Sequence, residues 1–257
     1  MLPAPADLSR ATHASLVEAL RARKLDRTVT GVGPGPAAMD PDATGASGIP
    51  GLDAGLGGGL PRGQVSEVVG RASSGRTSLL LQWMAAATAR GELVAIIDVC
   101  DRFDPPSAEA AGVDLSRVLW VRGQAPASRG SRDAQTRALQ QAIKAAALVL
   151  QAGNFGLVAL DVAEVSPLLL RAMPFTTWLR LERLIEGSQT MGLIVAPEPL
   201  ARSAGGVSVR LETDAAAARF RNGLFDGVRL RAQVARARLR PAEAAPISFA
   251  TAAVHGR

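Results

Sequence analysis

Cysteine, histidine and lysine are scarce in this 257-residue chain, and each shortage closes off a class of function. A single cysteine, Cys100, excludes an intramolecular disulfide. The two histidines, His13 and His255, lie at opposite ends of the chain and argue against a zinc centre. Long hydrophobic runs are missing too. Stretches such as Leu79 to Leu81 and Leu93 to Ile97 are far too short to span a bilayer. The first residues hold no basic patch followed by an apolar core, so they do not read as a secretory signal. A cytoplasmic protein without membrane contact is the expectation.

What the chain does have is arginine and a large apolar fraction. Hydrophobic residues make up 47% of it, enough for one well-buried domain. The only lysines are Lys24 and Lys144, so the net charge of +6 is carried almost wholly by arginine. That excess is local. Residues 200–257 hold ten arginines and four acidic residues, whereas residues 1–199 balance at 19 basic and 19 acidic.

Periodicity divides the chain into segments. Residues 8–25 read as a helix with Leu16, Val17, Leu20 and Leu25 near one face, so residues 1–27 are expected to be an N-terminal helical segment. Residues 28–48, dense in Gly, Pro, Ala and Asp, read as a flexible connector. From Ile49 the pattern becomes that of a core. Strands are expected at Gln64–Val69, Leu93–Asp98, Val118–Val121, Leu157–Asp161 and Leu193–Ala196. Helices are expected at Thr77–Arg90, after Asp104, over 131–152, and around Pro167–Ala172 and Thr176–Gln189. Alternating buried strands and helices argue for a parallel sheet covered on both faces. Val207–Glu212 and Val228–Val234 alternate apolar and polar residues instead, as half-exposed strands do, and Asn222-Gly223 between them is a turn signal. Residues 241–257, rich in Ala and Pro, are expected to form a disordered tail after a core of 49–240.

One stretch carries the chemistry. Between the strand at Gln64 and the helix at Thr77 runs Gly70-Arg71-Ala72-Ser73-Ser74-Gly75-Arg76-Thr77, which matches the P-loop spacing G-x-x-x-x-G-K-[ST] except that Arg76 replaces the lysine. In such a loop the backbone N–H groups and the helix dipole hold phosphates, and the Ser/Thr hydroxyl binds magnesium. Gly70, Arg71, Ser73, Ser74, Gly75, Arg76 and Thr77 are thus candidate nucleotide-binding residues. Thr77 and Asp161, at the end of its strand, are candidate magnesium ligands if ATP binds. Arginine keeps the charge, but its planar fork is bulkier than a compact ammonium. Two outcomes stay open: Arg76 holds a phosphate from a displaced position, or it fills the site and pairs with Asp161.

Beyond the loop, the run GLDAGLGGGLPRGQVSEVVGRASSGRTSLLLQ followed by ARGELVAIIDVCDRFDPPSAEAAGVDLSRVLWVR resembles the RecA ATPase core. The resemblance covers roughly residues 49–240. It implies an α/β fold with a P-loop core, a mostly parallel central sheet with helices on both faces, and C-terminal antiparallel strands. The short chain, the arginine in the loop and the sequence SRVLWVR look most like the ImuA branch of RecA relatives.

The departures from the RecA pattern point in one direction. The glutamate that activates water in RecA falls at Cys100, a poor base at neutral pH because an ordinary thiol has a pKa of about 8.5. Asp98 or Asp101 could substitute, and a small buried hydrophobe is the plain reading of Cys100. The residue that stacks on adenine falls at Ser107. The polar sensor pair falls at Ala196-Pro197, and the following segment is far shorter than RecA's second DNA-binding loop. The resemblance therefore implies a non-catalytic adaptor that binds RecA and/or ImuB, alongside the error-prone C-family polymerase, in SOS-induced translesion synthesis. Residues 8–30 could dock on a neighbouring subunit.

Two alternatives stand beside it. One is a weak DNA-dependent ATPase. The other is a DNA-binding module that uses Arg229, Arg231, Arg236, Arg238 and Arg240, which alternate along the C-terminal strand. Few aromatics interleave with those arginines, so single-strand stacking finds little support. A solvated face is the plain alternative.

Overall fold

Strand after strand in this chain alternates between two apolar faces, and the fold follows from covering both. The structure, a computed structural model, describes residues 43–123, 132–200, 205–212, 218–221, 224–236 and 246–250. The expected N-terminal helix, Arg238 and Arg240 lie outside these residues.

The elements run β1 (Thr44–Gly45), α1 (Pro50–Leu56), β2 (Leu60–Pro61), β3 (Gln64–Gly70), α2 (Arg76–Ala89), β4 (Leu93–Asp98), α3 (Pro105–Ala110) and β5 (Val118–Arg122). They continue with α4 (Arg132–Ala152), β6 (Phe155–Asp161), α5 (Pro167–Ala172), α6 (Phe175–Ile185), β7 (Met191–Ala196), β8 (Ser208–Glu212), β9 (Ala218–Arg221), β10 (Leu224–Arg236) and β11 (Ile247–Ala250). The main sheet has the order β11-β10-β8-β3-β7-β6-β4-β5, with β9 paired to β10. From β8 to β5 the strands are parallel, and β9, β10 and β11 pair antiparallel.

Side-chain alternation sorts the core into two layers. Val68, Val94, Ile96, Leu157, Ala159, Leu193 and Val195 meet α1, α2 and α3 on one face. Val65, Val69, Ala95, Ile97, Val158, Leu160 and Ile194 meet α4, α5 and α6 on the other. The expected local signals act as their chemistry dictates. Asp104 caps α3 by accepting a hydrogen bond from Ser107 N at 3.0 Å, with Pro105 at the first helical position. Arg221 pairs with Leu224, on either side of the Asn-Gly sequence.

Both expected boundaries of the core need correction. The last residues of the supposed connector belong to the fold. Thr44–Gly45 pairs antiparallel with Leu60–Pro61, because the Asp53 carboxylate gathers the chain behind it. That carboxylate accepts hydrogen bonds from Ser47 N at 2.7 Å, Ser47 Oγ at 2.8 Å and Gly48 N at 3.1 Å. At the other end Ile247–Ala250, expected in a disordered tail, forms the edge strand β11 along Arg229–Ala232 and buries Phe249. A ladder of main-chain hydrogen bonds plus one buried aromatic outweighs the Ala/Pro-rich composition around it. The helix expected over Thr176–Gln189 ends at Ile185, with Gly187 left-handed at φ 75°.

Buried in β3, Glu67 explains the shortened connection after β7. Its carboxylate accepts from Leu200 N at 3.0 Å and Ser208 Oγ at 2.9 Å, tying the segment after Pro197 onto the sheet.

Candidate functional site

The carboxyl ends of β3, β7, β6 and β4 gather the residues singled out from the sequence. This is the end of a parallel α/β sheet where ligands bind, because the helices that follow point their N-termini there.

The loop Gly70–Thr77 leaves β3 and enters α2 with close packing at both glycines. A Cβ on Gly70 would lie 2.4 Å from Ser74 Oγ and 2.9 Å from the Leu211 carbonyl oxygen. Gly75, left-handed at φ 88°, would press a Cβ to 2.6 Å from Leu230 Cδ2 on β10. Ser73 is left-handed as well, at φ 60°. Arg71, Ala72, Ser73 and Thr77 are exposed, and Ser74 is buried. Its Oγ has no hydrogen-bond partner among the described residues.

Arg76 meets a different carboxylate from the one expected. Its side chain is only 6% exposed. Nη1 donates to the Ala163 carbonyl at 3.4 Å, and Nη2 lies 3.5 Å from Glu164 Oε1. The guanidinium thus reaches from the first residue of α2 to the turn after β6, and its ion pair is with Glu164 rather than Asp161. No motif marks Glu164 in the sequence. It becomes visible only when the turn after β6 is set beside the loop.

Asp161 stands at the end of β6 in register with Asp98 on β4. One carboxylate oxygen accepts from Ala163 N at 2.9 Å. Burial pushes its pKa up from 3.8 to about 6; the Ala163 N–H opposes the rise, Asp98 adds to it, Arg76 opposes it and Glu164 adds again.

None of the three candidate bases is available. The Cys100 thiol is buried, and desolvation raises its pKa to about 11, with Asp161, Asp98 and Glu164 adding repulsion. It is a neutral packing group in the same apolar cluster as Val99 and Val162. Asp98 is buried and accepts from Phe103 N at 2.7 Å and Trp120 Nε1 at 3.3 Å, an arrangement that holds the chain beyond β4. Asp101, at φ 54°, is clamped by Arg122 through Nε at 2.9 Å and Nη2 at 2.8 Å. Arg122 in turn lies 4.4 Å over the Trp120 ring. Ser107 is exposed on α3 and offers no ring face, and Ala196 is buried at the end of β7.

The cradle fits an anion: it has a helix N-terminus, left-handed residues and a buried hydroxyl without a partner. Thr77 and Asp161 would hold the magnesium of a bound nucleotide. The loop cation is drawn to Glu164, the Cys100 thiol is neutral, and Asp98, Asp101 and Asp161 each accept hydrogen bonds from within the fold. No cluster of three or more metal-ligating side chains occurs among the described residues.

The arginine row lies apart from the loop. Leu230, Ala232 and Val234 are buried, with Leu230 against Gly75, while Arg229 and Arg231 are exposed on the opposite face of β10. The backbone of Arg236 pairs with Ser208. The sequence reading missed Arg210, exposed on β8 opposite Gln233, which joins Arg229 and Arg231 on that face.

A parallel sheet with a glycine-rich phosphate loop after β3 and an acidic residue ending β6 defines a P-loop α/β protein. Residues 37–165 match the family model of the RecA N-terminal domain, and the chain belongs to that family. It is 40% identical to protein RecA of Chlorobium chlorochromatii over 104 residues, which are 40% of this chain and 29% of that protein. Identity to protein RecA of Acholeplasma laidlawii is 37% over 123 residues, covering 47% of this chain and 33% of that one. The chain thus spans about a third or less of these curated relatives. A crystal structure of the RadB recombinase superposes with a TM-score of 0.57 at 20% identity, covering 80% of this chain and 96% of that one, a likeness of fold. No helix among the described residues is long and apolar enough to cross a membrane.

Proposed function

We propose that this chain is a non-catalytic RecA-like adaptor of the ImuA kind. It regulates SOS-induced translesion DNA synthesis and mutagenesis in the cytoplasm by binding RecA and/or ImuB, the partner of the error-prone C-family polymerase. One observation carries the non-catalytic half of this reading: Arg76 is buried against Ala163 and Glu164. The resemblance to RecA adds that the buried Cys100 falls where a water-activating acid would stand. A RecA-type subunit that keeps its fold but lacks an ATP-driven switch can join a filament end and block further growth. Filament inhibition is therefore the mechanism that follows from these losses.

The test uses the full chain. ATP hydrolysis is measured with and without single-stranded DNA, followed by pull-down of RecA and ImuB and by RecA strand-exchange assays. The expected result is no turnover, capture of at least one partner, and reduced strand exchange. Turnover that disappears in Asp161→Ala would overturn the reading, as would failure to bind either partner with strand exchange unchanged. A second reading draws on the exposed face holding Arg210, Arg229 and Arg231, which suits phosphates. Retention on DNA that falls steeply with salt, without partner binding, would favour it.

A further inference from the structure

The cation of the phosphate loop is neither free nor well bound. A guanidinium offers five N–H donors in a rigid fork, and a well-made pair with a carboxylate is bidentate at about 2.7–2.9 Å. This chain makes such a pair elsewhere: Arg122 meets Asp101 at 2.9 and 2.8 Å. Arg76, nearly buried, makes only the 3.4 Å contact with the Ala163 carbonyl and the 3.5 Å contact with Glu164. In the same loop Ser74 is 2% exposed and its hydroxyl lacks a partner among the described residues. The loop therefore holds a buried cation and a buried hydroxyl that are both under-satisfied. The one carboxylate that answers the cation, Glu164, has a half-exposed side chain (50%) that could turn away into solvent.

We propose that Glu164 is a positioning residue whose carboxylate stands in for a phosphate oxygen as the counter-ion of Arg76, and so sets how tightly the loop takes an oligophosphate. This rests on reading the loop as an idle nucleotide site. An arriving polyanion must draw Arg76 away from Glu164 and must also approach a negative charge. Removing the carboxylate lifts both penalties. Simple repulsion by Glu164 would also weaken anion binding, but repulsion does not need Arg76, so the two effects separate in a double-mutant cycle.

The experiment titrates the full chain with tripolyphosphate, and separately with ATP without magnesium, by calorimetry. Wild type is compared with Glu164→Gln, Arg76→Gln and the double variant, with circular dichroism to confirm folding. Glu164→Gln is expected to tighten tripolyphosphate binding about fivefold, the range of a partly exposed ion pair. In the Arg76→Gln background only the repulsive share remains, so the same change should tighten binding clearly less than in wild type. Should Arg76→Gln fail to fold, Arg76→Lys serves instead. A lysine is a compact point charge without the second arm of the guanidinium fork, so the difference between Glu and Gln at position 164 should shrink toward the repulsive share. Equal tightening in both backgrounds, no tightening in either, or a dependence on Glu164 in the lysine variant as large as in wild type would overturn the proposal. Hydrolysis and partner capture are not read here, so the adaptor reading and this one can fail separately.

Discussion

Two arginine–carboxylate clusters stand at opposite ends of the same parallel sheet, and they are built to different standards. At the amino ends of the strands, Glu92 binds Arg62 Nη2 at 2.5 Å and Arg90 through Nε at 3.0 Å and Nη2 at 3.1 Å. Further donors are used as well, with Arg62 Nη1 on the Gln189 carbonyl at 2.7 Å and Arg90 Nη1 on the Ala46 carbonyl at 3.0 Å. At the carboxyl ends, Arg76 has one long pair and one long hydrogen bond. The first cluster ties β1, the turn before β3, the end of α2 and the lead-in to β7 into one unit. The second leaves polar capacity unspent. The difference teaches that residue types alone do not assign a role. The satisfied cluster serves the fold, whereas Arg76 and Ser74, both under-satisfied, sit at the carboxyl ends of the strands, where a ligand would bind.

The largest effect expected from this contrast is on stability. Glu92→Ala strands two arginines, one of them nearly buried, and should cost roughly 2–4 kcal/mol, against about 1 kcal/mol for Glu164→Ala. Urea denaturation of both variants checks this, and equal losses would break the comparison. The pH dependence follows from Glu92. Burial alone would raise its pKa, but the hydrogen bonds from Arg90 and Arg62 more than reverse this and hold it below its ordinary 4.5. Its contribution is thus present above that value and lost as pH falls through the depressed folded value. Glu92→Ala should show a weaker loss of stability in acid.

A smaller loss is expected at the loop itself. Gly75→Ala combines a left-handed backbone with a close approach to Leu230, and should cost about 2 kcal/mol. In a Leu230→Ala background the steric share disappears and only the backbone strain remains. If the penalty is the same in both backgrounds, the loop is not packed on β10 as described.

The smallest effect has the opposite sign. With its folded pKa raised to about 6, Asp161 contributes stability that is fully present below 3.8 and lost as pH rises through about 6. Asp161→Asn keeps an acceptor for Ala163 N and removes the charge. It should stabilise the protein by about 1–2 kcal/mol above pH 6 and flatten the profile between about 4 and 6. No gain at pH 7 by thermal denaturation would show that the carboxylate is better solvated than its position between strand ends implies.

Much of the fold was legible because its signals are local. β4 runs over the expected Leu93–Asp98, and Asp104 with Pro105 opens α3 where the capping pattern placed it. The alternation along β10 put Leu230, Ala232 and Val234 inside and Arg229 and Arg231 outside. What failed was non-local. Thr44–Gly45 and Ile247–Ala250 look like linker and tail because their stability comes from Asp53 and from β10, residues that composition does not connect to them. The same holds for the site. Gly70, Gly75, Arg76 and Asp161 were readable from spacing, whereas Glu164 and Arg210 carry no motif and matter only through what is folded beside them.

The sequence by itself determined the strand and helix pattern and the loop that joins β3 to α2, because strand periodicity, loop spacing and residue identity are properties of neighbours along the chain. Only the tertiary structure decided where the guanidinium of Arg76 goes. A flexible, always-charged side chain in a buried place takes the nearest anion. Three strands of one sheet had to come together before that anion was Glu164 rather than Asp161.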